Sequence, residues 1–239
     1  MLRRTKNKPR ASTFVLLVAF ACGAALEAPV LAREVVASRP AVADFISATP
    51  SHGAREVADW AVASDDAHGL PFLIVDKPAA TLYVFDAGGR LTGSSPVLLG
   101  LAHGDDSVPG IGQRPMAQIR PNERTTPAGR FRAERGVNSH GEDIMWIDYD
   151  AAVSMHRVRA TNPKEHRLER LRTATIADNR ISYGCINVPA RFYERHVVPA
   201  FAAGHAVVYV LPETKPLRDY FDIGQDPRMG RARAAASTG

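Results

Sequence analysis

Short runs of branched and aromatic residues constrain this chain most. FLIVD (72–76), TLYVFD (81–86) and SPVLLG (95–100) follow one another, separated by turn signals such as Lys77-Pro78 and Gly88-Gly89. Such runs suit pleated strands. GRFRAE (129–134), IMWIDYD (144–150), AAVSMH (151–156) and HAVVYVL (205–211) repeat the texture. Between the two sets, residues 102–124 are rich in Gly, Pro and polar side chains and read as a long loop. Six or seven short strands with little helix predict a mainly β fold, a sandwich or barrel with a few short helices.

Two helices are expected inside that framework. One starts at Asn162, an N-cap residue followed by Pro163 at the first helical position and Glu165 three residues after the cap. The other starts near Pro189, carries Phe192, Tyr193, His196 and Val197 on one face, and is expected to stop at Pro199. Residues 33–70 are Ala-rich with one short helical stretch near Arg55–Ala63 and read as a lead-in. Residues 213–239, ending RARAAASTG, read as a basic, disordered tail. The folded domain is therefore placed at 71–212.

The front of the chain reads as an address. MLRRTKNKPR is basic, the run from Thr13 to Leu26 is apolar, and Val30 and Ala32 precede a plausible cleavage point. That order describes a secretory signal peptide over residues 1–32, and its apolar core is short for a membrane span. Residues 1–32 hold five Lys/Arg and one Glu, so their removal takes the net charge from +5 to +1. The remaining charge gives no reason to invoke a nucleic-acid partner. Of the two cysteines, Cys22 lies in the signal segment, leaving Cys185 alone in the mature chain. A lone thiol in an oxidising compartment cannot form an internal disulfide, and it lacks the clustered partners of a zinc site. It is a candidate nucleophile.

Cys185 sits in RISYGCINVP (180–189). A cysteine nucleophile needs a base and oxyanion donors. Gly184 allows a tight turn that could present backbone N–H groups, and the helix expected from Pro189 could lower the thiol pKa through its positive end. Two histidines can serve as base. His156 ends a strand-like run, whereas His166 lies in the charged stretch KEHRLERLR. Ser182, Tyr183, Arg180 and Asn187 are candidate substrate-binding residues. Arg180 either meets a substrate carboxylate or solvates a loop, and Ser182 either bonds in the site or caps the turn. His103, Asp105 and Asp106 lack metal-ligand spacing and read as a solvated loop.

SYGCIN (182–187) resembles the signature of the L,D-transpeptidase (YkuD-type) catalytic domain, Ser/Thr-His-Gly-Cys followed by a hydrophobic residue and Asn or Arg. The turn Thr126-Pro127-Ala128-Gly129-Arg130-Phe131 and the hairpin FLIVDKPAATLYVFDAGGRL resemble two further landmarks of that family, so the likeness runs over roughly 71–211. Tyr183 stands where the family has histidine. His166 leaves 15 residues before Ser182, which is the family's spacing, whereas His156 leaves 25. His156 matches the family's strand-end context, with residues 157–172 then holding a helical insertion.

The resemblance implies an exported peptidoglycan enzyme acting on tetrapeptide stems through a Cys185 thioester. His156 is then the base, the backbone near Gly184 the oxyanion donor, and no metal or organic cofactor is required. A hydrolase on the same fold and a non-catalytic wall-binding module are the other readings. A papain-like peptidase, with its cysteine ahead of the histidine on a helix, does not fit the chain order.

Overall fold

A computed structural model describes residues 42–224. The signal segment read at 1–32, with Cys22, lies outside the described residues, as does the tail from 225. The apolar runs become β1 (Phe72–Asp76), β2 (Thr81–Phe85), β3 (Leu91–Pro96), β4 (Leu99–Gly100), β5 (Gly129–Val137), β6 (Asp143–Asp148), β7 (Val153–Arg157), β8 (Arg180–Ser182), β9 (Ile186–Val188) and β10 (His205–Val210). Eight of them form one sheet in the order β3-β2-β1-β10-β5-β6-β7-β9, while β4 and β8 pair separately. Leu98, just past β3, exchanges both backbone hydrogen bonds with Asn187 of β9, at 2.9 and 2.8 Å. The two ends of the strand order therefore meet, and the sheet is nearly closed, which protects its edges. The mainly β architecture expected from the sequence is the one observed.

The central strands carry apolar residues on both faces because both faces are buried. Leu73, Val75, Leu82, Val84, Val208 and Val210 enter one core with Met145, Met155 and Ile186. Phe72, Ile74, Tyr83, Phe85, Val207 and Tyr209 enter a second core. β1 runs parallel to β10 at the middle of this arrangement, and strands covered on both sides lose polar alternation.

The second core is covered by α1 (His52–Ser64), whose buried residues Ala54, Val57, Ala58 and Ala61 form one helical stripe. Its N-cap is Ser51, whose Oγ accepts from Ala54 N at 3.1 Å and donates to Asp76 at 2.6 Å. Phe45 and Phe221 complete the cover. The packed body thus reaches beyond the 71–212 span drawn from sequence. Residues 42–70 are a structural layer, and residues 213–223, read as the start of a tail, are anchored.

The two expected helices are modest. Asn162 caps a single 3-10 turn (Pro163–Glu165), its side chain accepting from Lys164 N, and α2 (Arg167–Arg170) follows. The other begins as α3 (Ala190–Phe192), widens through a π turn (Tyr193–Val197) and ends as α4 (Val198–Ala200), so it continues past Pro199. A π turn ahead of the proline relieves the clash its ring would make with the carbonyl four residues back.

A buried charge cluster fastens the loops. Lys77 is fully buried, and its three ammonium protons go to Gly104 O at 2.5 Å, Asp105 Oδ1 at 2.8 Å and Thr126 O at 2.9 Å. Asp105 also accepts from the backbone N–H groups of Glu213, Thr214 and Lys215, at 2.7, 2.8 and 2.9 Å. The solvated loop expected at His103, Asp105 and Asp106 is corrected here. Asp105 is buried because a buried ammonium and three amides neutralise it, and only His103 and Asp106 face solvent. Burial works to raise the Asp105 pKa, but these donors outweigh it and hold the carboxyl well below its usual range. At Lys77 burial prevails over the pairing and lowers the pKa from 10.5. Asp105, with more donors than burial can offset, is the firmly ionised partner.

Removing one member of a buried pair leaves the other uncompensated, at a cost of about 3–5 kcal/mol. Asp105→Ala is expected to lose that much in urea unfolding, whereas Asp106→Asn, on the exposed side of the loop, stays within about 0.5 kcal/mol of the parent.

Candidate functional site

Two parallel neighbours build the site. β7 and β9 pair with Met155 opposite Ile186 and His156 opposite Asn187. Cys185, one residue ahead of β9, is thereby set beside the end of β7. Strand alternation puts Ser154 and His156 on one side of β7, and both meet the thiol. Ser154 Oγ lies 3.6 Å from Cys185 Sγ, and the imidazole of His156 is close enough to the thiol for each to shift the other's pKa. His156 Nδ1 lies 2.7 Å from Arg157 O. A carbonyl can only accept, so Nδ1 carries a proton and Nε2 is left to face the sulfur.

The electrostatics of the pair are reciprocal. Burial works to raise the Cys185 pKa, but the hydrogen bond and charge of His156, together with Ser154, bring it below its ordinary value. Burial works to lower the His156 pKa, but Cys185 and the Arg157 carbonyl raise it above its ordinary value. Both shifts favour a thiolate facing an imidazolium. The helix-end effect expected from sequence is corrected: β9 stands between Cys185 and α3, and the thiol is tuned by His156 instead.

The loop under the cysteine is rigid. Gly184 has φ +133°, and a Cβ there would lie 2.8 Å from Thr125 O, so both backbone angle and space demand glycine. Thr126, from the Thr-Pro-Ala-Gly turn, donates through Oγ1 to Gly184 O at 2.8 Å and accepts from Gly100 N at 2.9 Å. The Gly184 N–H donates to Ser182 Oγ at 3.1 Å, and Ser182 Oγ donates to Cys185 O at 2.6 Å. The Gly184 amide is therefore engaged inside the turn and is not aimed at a substrate.

Several sequence candidates face away from solvent. Ser182 is buried and caps the turn. Asn187 is buried, donates to Cys185 O at 3.0 Å and accepts from Arg167 at 2.6 Å. Arg180 is buried in the charge cluster, bonded to Glu213 and, at 3.0 Å, to Lys77 O. These three support the loop from beneath, because β8 is held by β4 and β9 by β7, which turns them inward. Tyr183 is half-buried with the Arg124 guanidinium 3.8 Å above its ring. His166 is 64% exposed, paired with Glu169 at 3.1 Å and remote from the thiol's cleft. His156, not His166, meets Cys185.

The thiol opens into a cleft of about 460 Å³ lined by Ile144, Trp146, Ala152, Ser154, His156 and Arg159, with the turn 137–140 across from them. The long loop of 101–124 braces one wall: Ile111 is buried and Gly112 packs on the turn at Asp150–Ala152, where a Cβ would meet Asp150 O at 2.4 Å. Sequence reasoning missed Ser154, Trp146 and Arg159. Ser154 was legible in AAVSMH, two residues before His156 on a strand. The other two carry no sequence signal of a site. Among the described residues no group of three or more His, Cys, Asp or Glu is placed to hold a metal, and no helix is long and apolar enough to cross a membrane.

No protein-family model matches the chain, and no curated protein matches it. Solved structures similar to it include the helical cell shape determining protein Pgp2 from Campylobacter jejuni, at 16% identity and a TM-score of 0.41, covering 61% of this chain and 49% of that one. An L,D-transpeptidase from Enterococcus faecium is similar at 16% identity and a TM-score of 0.34, covering 59% and 49%. One from Mycobacterium smegmatis is similar at 14% identity and 0.34, covering 59% and 58%. The matched region thus spans about half the length of the first two.

Alkylation rate follows the thiolate fraction, so a lowered pKa moves its rise to lower pH. In the parent protein the Cys185 midpoint is expected below ~8.5, the value of a free cysteine. In His156→Ala it is expected at or above that value, because burial then acts unopposed. An unchanged midpoint in His156→Ala would show that the pair is not electrostatically coupled.

Proposed function

We propose that this chain is an exported L,D-transpeptidase acting on the tetrapeptide stems of peptidoglycan in the periplasm or cell-wall compartment. The observation that supports this most is the Cys185–His156 pair, with Nδ1 committed to the Arg157 carbonyl and Nε2 turned to a thiol that opens into a cleft. Its cysteine lies within SYGCIN, over the Thr-Pro-Ala-Gly turn that bonds Gly184, and these two motifs carry the family resemblance.

The Cys185 thiolate attacks the carbonyl between the diamino acid and the terminal D-alanine. The carbon–nitrogen bond breaks, His156 delivers its Nε2 proton to the departing amine, and free D-alanine leaves a thioester on Cys185. An amine from a second stem then attacks the thioester, gives its proton to His156, and releases the crosslinked peptide with the thiolate restored. With the Gly184 amide engaged by Ser182, the Cys185 amide is the oxyanion donor in this reading. Ser182 and Asn187 act as positioning residues, since both grip the Cys185 carbonyl.

Mass spectrometry of muropeptides incubated with the mature protein tests the assignment. Crosslinked stems with released D-alanine are expected; trimmed stems alone would identify a hydrolase, and unchanged stems would refute a role in stem-peptide chemistry. Cys185→Ala is expected to abolish turnover with little change in melting temperature, whereas a core role predicts the reverse. A general base contributes about 10²–10⁴-fold. His156→Ala should therefore slow acylation at least a hundredfold, and His166→Ala less than a few-fold.

A further inference from the structure

The cleft around Cys185 has an uneven charge. His140, His156 and Arg159 line it, and no Asp or Glu does. A guanidinium on the wall of a cleft that no carboxylate lines suits a carboxylate ligand.

Arg159 is the arginine that lines the cleft, and its own partner is one it can release. Arg157 is held by Asp143 and Glu194 and lies over the Tyr193 ring. Arg167 is held by Glu165 and Asn187, and Arg180 is buried against Glu213. Arg159, two residues past β7, is bonded to Glu142 on the turn between β5 and β6. That pair is open, with side-chain exposures of 36% for Arg159 and 52% for Glu142. Exposed ion pairs are weak and readily exchanged. Glu142 does not depend on it, since it also accepts from Asn138 Nδ2 at 2.8 Å, and Asn138 Oδ1 in turn accepts from His140 N and Glu142 N at 2.8 and 3.1 Å. The turn stays braced when Arg159 lets go.

We propose that Arg159 is the specificity-determining anchor for a free carboxylate flanking the scissile bond, a place now held by the carboxylate of Glu142. The incoming carboxylate displaces Glu142 and takes the guanidinium through two parallel N–H bonds, a match of fork to fork that fixes the peptide's direction past Cys185. The inference rests on the stem-peptide reading above. Two carboxylates could serve, that of the terminal D-alanine and that on the side chain of the diamino acid.

The test is isothermal titration of the full mature chain carrying Cys185→Ala with three synthetic stem tetrapeptides: unmodified, amidated at the terminus, and amidated at the diamino-acid side chain. One amide is expected to bind at least tenfold more weakly than the acid, and which one it is identifies the carboxylate. Adding Arg159→Ala should weaken the acid peptide at least tenfold and abolish the difference, while Arg159→Lys, lacking the fork, restores only part of it. Glu142→Gln should tighten binding of the acid several-fold by removing the competitor. The anchor is overturned if acid and amides bind within twofold of one another, or if Arg159→Ala keeps the discrimination. Turnover of the unmodified peptide by wild-type protein separates the two ideas. Product formed without discrimination overturns the anchor alone, and neither binding nor product overturns the stem-peptide reading with it.

Discussion

The fully buried ammonium of Lys77 is the contact on which the arrangement of loops depends. A lysine at the end of β1 would ordinarily reach solvent, yet here its protons are divided among Gly104, Asp105 and Thr126. Through Thr126 it holds the turn whose hydroxyl supports Gly184. Through Asp105 it holds residues 213–215, and Glu213 then grips Arg180 at the start of β8. One buried charge therefore ties the first strand, the long loop, the C-terminal segment and the strand leading into the cysteine turn. Each of these groups is costly to bury alone and acceptable only when all are present.

The meeting of Cys185 and His156 follows from strand pairing. Parallel registration of β7 with β9 fixes which residue of one strand lies beside which of the other. His156 and Cys185 need no further device to meet, and both sit at strand ends, where the backbone is held on one side and the side chain is open on the other. The cysteine turn is kept rigid by bonds that converge on it: Ser182 and Asn187 on the Cys185 carbonyl, Thr126 on the Gly184 carbonyl. Two residues that the sequence suggests for substrate contact, Ser182 and Asn187, are thus spent on the Cys185 carbonyl. Arg159 and Trp146, by contrast, line the open cleft.

By itself the sequence determined the strands, because runs such as FLIVD and HAVVYV are too short and too branched for anything but a sheet. It also singled out Cys185 as the thiol to watch and paired it with a strand-end histidine, and Asn162 announced its cap correctly. These are local properties, written in composition, period and capping chemistry. Tertiary structure decided the rest. FLIV (72–75) is apolar throughout because α1 covers its second face, and nothing in these residues says which segment will do so. Asp105 looks like a loop carboxylate until a lysine from β1 arrives, 28 positions away in sequence. Arg180 and Asn187 turn inward because β8 and β9 find partners in β4 and β7. Arg159 becomes part of a cleft only when the β5–β6 turn is brought opposite it. A side chain's chemistry is fixed by its type, but its burial, partners and pKa are set by groups distant along the chain, which only the closed sheet brings within reach.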